Sequence, residues 1–154
     1  MKFSTRQDTD LAAEQLFSVM GDFDRLERLF VRRGAIVRRI DPAREPGAGM
    51  AWQIGFDWRG KRRELRLDVT RFDRPELISL EGMSDMFEIT IDMAIIALTR
   101  SKSRLNLSID LRPRSMRARL ILQTAKLGKG TLDRKFEERV AEFIGDVTRS
   151  AAAA

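Results

Sequence analysis

The sequence predicts a mixed α+β fold. A curved antiparallel sheet of seven strands carries two short helices after its first strand and is covered by one long C-terminal helix. Three observations carry this reading. Residues 50–58 place Met50, Trp52, Ile54, Phe56 and Trp58 on alternate positions, with Ala51, Gln53, Gly55 and Asp57 between them. That period of two belongs to a strand with one buried face. Similar alternating runs, separated by short breaks, continue to residue 112, which is the pattern of successive hairpins and hence of antiparallel pairing. From Pro113 to Ser150 the period changes: Ala118, Leu122, Ala125, Leu132, Phe136, Val140, Phe143 and Val147 recur at spacings of three and four or their multiples. Those residues lie on one face of a helix.

Taken in order, Lys2 to Asp8 alternates, with Phe3, Thr5 and Gln7 on one face, and reads as the first strand. Thr9 or Asp10 is suited to cap a helix whose inner side is Leu11, Ala12, Gln15, Leu16, Val19 and Met20. Gly21-Asp22 interrupts it, and a second short helix carries Phe23, Leu26, Leu29 and Phe30 before Gly34 closes it. Ala35 to Ile40 is a strand, Asp41 to Gly47 a loop with Pro42 and Pro46, and Gly49 to Trp58 the third strand. Arg59-Gly60 turns the chain into Arg62 to Phe72, where Leu65, Leu67 and Val69 face inward. Asp73-Arg74-Pro75 leads to a strand at Leu77 to Met83, and Ser84-Asp85-Met86 to another at Phe87 to Thr99. After Arg100 to Ser103, the last strand points Leu105, Leu107, Ile109 and Leu111 to one side. All four prolines fall in connections, where a missing N–H costs no ladder bond. Ser115 suits the N-cap of the long helix, and Gly128-Lys129-Gly130 predicts a kink or a close backbone approach within it. A sheet that is apolar on one face of every strand needs a cover, and the final helix carries the matching stripe. Residues 1–150 read as one domain and 151–154 as a frayed tail.

Composition narrows the chemistry. The chain has no cysteine, histidine or tyrosine, so thiol chemistry, the commonest general base, the commonest metal ligand and the phenolic acid are all excluded. Asp68, Asp92 and Asp110 lie on the polar faces of their strands, so no inward carboxylate pair is evident. We therefore expect no catalytic residue, no metal site and no cofactor. Thr5, Gln7, Arg38, Thr99 and Thr124 are the polar residues placed to reach the interior. Gly47-x-Gly49-x-x-Trp52 departs from a dinucleotide fingerprint, because a strand follows it and tryptophan stands where the third glycine belongs. The net charge of +6 raises the question of anionic partners. Basic residues are spread along the chain and interleaved with acidic ones, densest at Arg59 to Arg63 and Arg100 to Lys102. Weak, sequence-indifferent nucleic-acid binding is the expectation. Met1 to Arg6 has no apolar core and no apolar run is long enough for a bilayer, which predicts a cytoplasmic protein without a transmembrane segment. A homodimer is compatible with these features.

The order strand, two helices, six strands and long helix resembles the helix-grip superfamily, called START-like or SRPBCC, over residues 1–150. Gly47-Ala48-Gly49-Met50-Ala51-Trp52 resembles the glycine-rich turn and aromatic residue that open the third strand in many bacterial members. Arg112-Pro113-Arg114 before the long helix adds to the likeness. The superfamily includes lipid-transfer START domains, polyketide cyclases and dehydrases, coenzyme-Q-binding proteins and plant ligand carriers. The resemblance implies a sheet wrapped around the long helix and an interior cavity for an apolar ligand, but not one shared chemistry.

Trp52, Ile54, Phe56, Leu67, Val69, Ile91, Met93, Leu107 and Ile109 on the sheet would face Leu122, Ala125, Leu132 and Phe136 on the helix. Either they fill one another as a solid core, or some of them line a pocket of a few hundred cubic ångströms, the usual ligand size. Gly47, Gly49, Met83, Met86, Gly128 and Gly130 are the candidate portal. The leading expectation is a non-enzymatic carrier or sensor of a small hydrophobic molecule: a lipid, an isoprenoid or a polyketide-like compound. The alternatives are a cyclase- or dehydrase-type enzyme with an inward Asp or Glu, and a protein-interaction module using the basic surface.

Overall fold

The computed structural model describes residues 1–41 and 47–153. Residues 42–46 of the loop read between Asp41 and Gly47, with both its prolines, and Ala154 lie outside the described residues. The elements run β1 (Lys2–Thr9), α1 (Ala13–Met20), α2 (Phe23–Arg32), β2 (Ile36–Arg39), β3 (Ala51–Trp58), β4 (Lys61–Asp73), β5 (Leu77–Met83), β6 (Phe87–Ala97), β7 (Ser103–Pro113), α3 (Met116–Lys126) and α4 (Lys129–Ala153). The seven strands form one sheet in the order β1-β7-β6-β5-β4-β3-β2, with every pair antiparallel.

Local chemistry explains the joints. Between β3 and β4, Arg59 and Gly60 both take positive φ, 52° and 74°, the left-handed pair that a two-residue hairpin requires. Asp22 caps α2 by accepting the Arg25 amide at 3.2 Å. β1 and β7 are clamped by a two-point ion pair, Arg104 Nε to Asp8 Oδ1 at 2.6 Å and Nη2 to Oδ2 at 3.1 Å. The hydrogen bond from Arg104 holds the Asp8 carboxyl below its ordinary range.

Two expectations are corrected here. Neither Thr9 nor Asp10 caps α1, because β1 extends through Thr9 and the helix begins at Ala13. Gln15 instead reaches back, its Oε1 accepting the Ala12 amide at 3.1 Å. The C-terminal segment is two helices, not one. The chain turns at Leu127-Gly128, where the Leu127 and Gly128 amides bond to Thr124 and Ala125 three residues back. Those tight i→i+3 bonds end α3 in a turn where Leu127 is 90% exposed and gains nothing from continuing the helix. α4 then runs from Lys129 through Ala153.

Ser115 does cap α3, its Oγ accepting the Ala118 amide at 3.0 Å. Ser115→Ala is expected to cost about 1 kcal/mol. The melting temperature should fall by roughly 2–4 °C, and an unchanged melting curve would show that the cap is replaced by water.

The core lies between the sheet and α1, with the C-terminal part of α4 completing it. Leu16, Phe17 and Met20 pack with Ile144, Val147, Ile78, Leu80, Met93, Ile95 and Leu105. Ser103 is fully buried in this region and donates its hydroxyl to the Leu11 carbonyl at 2.7 Å.

Candidate ligand-binding site

Register sets the inner face of the sheet row by row. Val69, Leu80, Ile91, Ile109 and Phe3 stand side by side on β4, β5, β6, β7 and β1. The next row is Trp52, Leu67, Gly82, Ile89 and Leu111. Ile54 pairs with Leu65, and then Phe56 with Arg63. Burial is uneven across these rows. Val69, Leu80, Trp52, Leu67 and Ile54 are buried, whereas Leu65, Ile89, Ile91, Ile109 and Leu111 are only half-buried. α3 lies against β7, α4 against β1 and α1 against β6 and β7. Gly82 lies in the second row, between Leu67 and Ile89. A Cβ there would meet Leu65 Cδ1 at 3.2 Å and Ile89 Cβ at 3.4 Å, so an added methyl would press these neighbours aside by a few tenths of an ångström.

Two cavities open on this face. One, of about 30 Å³, lies under α2 and is lined by Phe23, Leu26, Glu27, Phe30, Val37, Trp52, Ile54, Leu67 and Leu80. Its single polar feature is a hydrogen bond from the Trp52 indole N–H to the Glu27 carboxylate. Phe23 packs edge-on to Trp52, centroids 5.3 Å apart. The other, of about 170 Å³, lies at the far end of β3 and β4 and is lined by Phe56, Trp58, Arg63, Ser84, Asp85, Met86 and Phe87.

The structure distributes the expected site residues as follows. Trp52, Ile54 and Leu67 meet at the smaller cavity, and Phe56 and Met86 at the larger. Val69 and Met93 are buried in the core, with Ile91 and Leu107 packed against it. Of the helix residues, Leu122 is buried, Ala125 and Phe136 are half-buried, and Leu132 is 37% exposed. Phe136 packs on Phe3 of β1, centroids 5.8 Å apart, at the edge of the sheet remote from Trp52 on β3.

The six portal residues are not brought together. The Gly49 amide donates to Val69 O near the start of β3, Met83 lies two strands away in register with Arg66 and Gln53, and Met86 lines the larger cavity by the other end of β3. Gly128 and Gly130 face open space beside Lys129, which stands over Phe3. Sequence spacing reports which residues share a strand face, not which ends of different strands coincide.

Of the polar residues expected inside, Thr5 is buried and accepts from Gln7 Nε2 at 2.9 Å, whereas Arg38, Thr99 and Thr124 are exposed. Three charged residues line these two cavities, Glu27, Arg63 and Asp85, and none was among the expected ones. Glu27 and Arg63 had a signal. Glu27 lies one turn after Phe23 and three residues before Phe30, on the apolar stripe of α2, and Arg63 precedes Leu65 by two, on the inward parity of β4.

No protein-family model matches the chain, and no curated protein matches its sequence. Solved structures do match. A Thermus thermophilus protein superposes with a TM-score of 0.66 at 11% identity, covering 98% of this chain and 99% of that one. Norcoclaurine synthase from Thalictrum flavum, solved with dopamine and hydroxybenzaldehyde, has a TM-score of 0.62 at 11% identity over 81% of this chain and 76% of that one. A Streptomyces aromatase/cyclase has a TM-score of 0.59 at 14% identity, over 87% and 88%. A START superfamily protein from Mycobacterium smegmatis also matches, with a TM-score of 0.54 at 15% identity over 87% and 95%. With its seven-stranded antiparallel sheet, paired short helices and long C-terminal helix, the chain has the START-like, or SRPBCC, helix-grip fold.

Proposed function

We propose that the protein binds a small hydrophobic molecule, such as a lipid, an isoprenoid or a polyketide-like compound, along the inner face of its sheet, as a carrier or sensor in the cytoplasm. The observation that carries this is that Leu65, Ile89, Ile91, Ile109 and Leu111, spread over three neighbouring rows of the inner face, are only half-buried where a solid core would cover them completely. Removing that surface from water supplies affinity at roughly 25 cal/mol per Å², less the cost of association. One fold neighbour solved with dopamine and hydroxybenzaldehyde and another named an aromatase/cyclase support the reading. No helix among the described residues is long and apolar enough to cross a membrane.

Two measurements test this. Native mass spectrometry of protein from its source cells should find an extractable small molecule. Ala125 lies with Ala118 and Leu122 on the inner side of α3. Ala125→Phe should leave thermal stability nearly unchanged and block uptake of an environment-sensitive apolar dye. Overpacking a filled interior would instead cost roughly 1–3 kcal/mol; that loss, with no saturable dye binding by the parent, would mean the inside is solid.

Glu27 favours a second reading, an enzyme of the cyclase or dehydrase kind, because a carboxylate among apolar walls is suited to move a proton. Under it, Glu27→Gln would retain dye binding and stop conversion of the extracted ligand by the purified protein.

A further inference from the structure

The larger cavity contains a charge with half its valence unused. Arg63 is 11% exposed at its side chain, and its Nε and Nη2 are buried without a hydrogen-bond partner. Its remaining nitrogen, Nη1, lies 3.9 Å from Asp85, whose side chain is 74% exposed, a loose surface pair that contributes little. The Trp58 ring stands 5.7 Å from the guanidinium carbon. Nearby polar groups are already engaged. Ser84 Oγ accepts the Met86 and Phe87 amides, and the Arg114 guanidinium donates to Ser84 O.

Arginine stays protonated in proteins, and a buried donor without a partner costs free energy. Nε–H and Nη2–H point the same way from one edge of the planar group, so the pair forms a fork that matches the two oxygens of a carboxylate. The surrounding walls, Phe56, Trp58, Met86 and Phe87, are apolar. Beyond Phe56 and Arg63 the same face of the sheet continues through the paired Ile54 and Leu65. Asp85 beside the fork disfavours a second negative charge.

We propose that Arg63 receives the carboxylate of a singly charged amphipathic ligand, a fatty or aryl-alkyl acid whose apolar body lies among Phe56, Trp58, Met86 and Phe87 and along the adjoining sheet face. This deepens the reading of apolar ligand binding and rests on it.

The test compares sodium dodecanoate, 1-dodecanol and sodium acetate as competitors of an apolar dye at neutral pH. Dodecanoate should compete at least tenfold more effectively than dodecanol, and acetate not at all. In Arg63→Met the advantage of dodecanoate should vanish while dodecanol competes within about twofold of its parental value, which also shows that the variant is folded. Arg63→Lys should keep part of the advantage, since a lysine offers the charge without the fork. Equal competition by dodecanoate and dodecanol in the parent, survival of the preference in Arg63→Met, or competition by acetate matching dodecanoate would overturn the proposal and leave the apolar reading standing. Failure of both dodecanoate and dodecanol to compete, or absence of saturable dye binding, would overturn both.

Discussion

Replacing Phe17 with alanine is expected to destabilise the protein by about 3–5 kcal/mol. Phe17 is fully buried on α1. Its ring meets Phe72 of β4 edge-on, centroids 4.9 Å apart, and Arg74 covers it with the guanidinium carbon 4.6 Å from the centroid. Phe72 in turn presses on Gly21, where a Cβ would stand 3.0 Å from its ring, and touches Phe23, centroids 5.8 Å apart. The cavity left by alanine cannot collapse easily, because rings and backbone fix its walls on three sides. Domains of this kind are stable by only about 5–15 kcal/mol, so the variant should unfold at a much lower denaturant concentration with the same m-value. Leu127→Ala, at a side chain 90% exposed, should move the midpoint by less than about 0.5 kcal/mol. Similar losses for the two variants would mean that α1 is not packed as described.

The second large effect is expected where Glu27 meets Trp52. Trp52 is buried on β3, and its indole N–H has the Glu27 carboxylate as acceptor. Glu27→Leu removes that acceptor and should cost about 1–3 kcal/mol, the penalty of a buried donor left without a partner. Trp52→Phe removes the donor and part of the wall of the small cavity. Once it is made, Glu27→Leu should cost little more, because no unsatisfied N–H remains. A double-mutant cycle in chemical denaturation measures this directly. Additive losses would show that the two groups are solvated separately.

Much of this was legible before the structure. The alternation of 50–58 and the Arg59-Gly60 turn fixed a hairpin, and the pairing Trp58↔Lys61 agrees with it. Strand faces followed because period two leaves each residue only two choices. The break at Leu127-Gly128 was half-legible. Two glycines marked it, but the apolar stripe continues past them at helical spacing, so periodicity alone favours one helix. Arg63 was obscured by its neighbours. Lys61 and Arg62 are exposed, and a basic run at a hairpin tip reads as a solvated surface unless its parity is followed residue by residue. Glu27 was hidden in the opposite way, as a single charge within an apolar stripe. The scatter of the portal residues was not legible, because which ends of distant strands coincide depends on sheet order.

The placing of β1 beside β7 bears on how the chain folds. Lys2 pairs with Asp110 and Thr9 with Ser103, so the first strand docks only after some hundred residues have been gathered between them. The other strand pairs link neighbours in the sequence and can zip as local hairpins. Loop-closure entropy favours that order, and non-local pairing is slow to form. The first strand, although made first during synthesis, should therefore join last, once β7 has formed an edge to receive it. Mutations in β1 should then act chiefly on the rate of unfolding and leave the rate of folding nearly untouched.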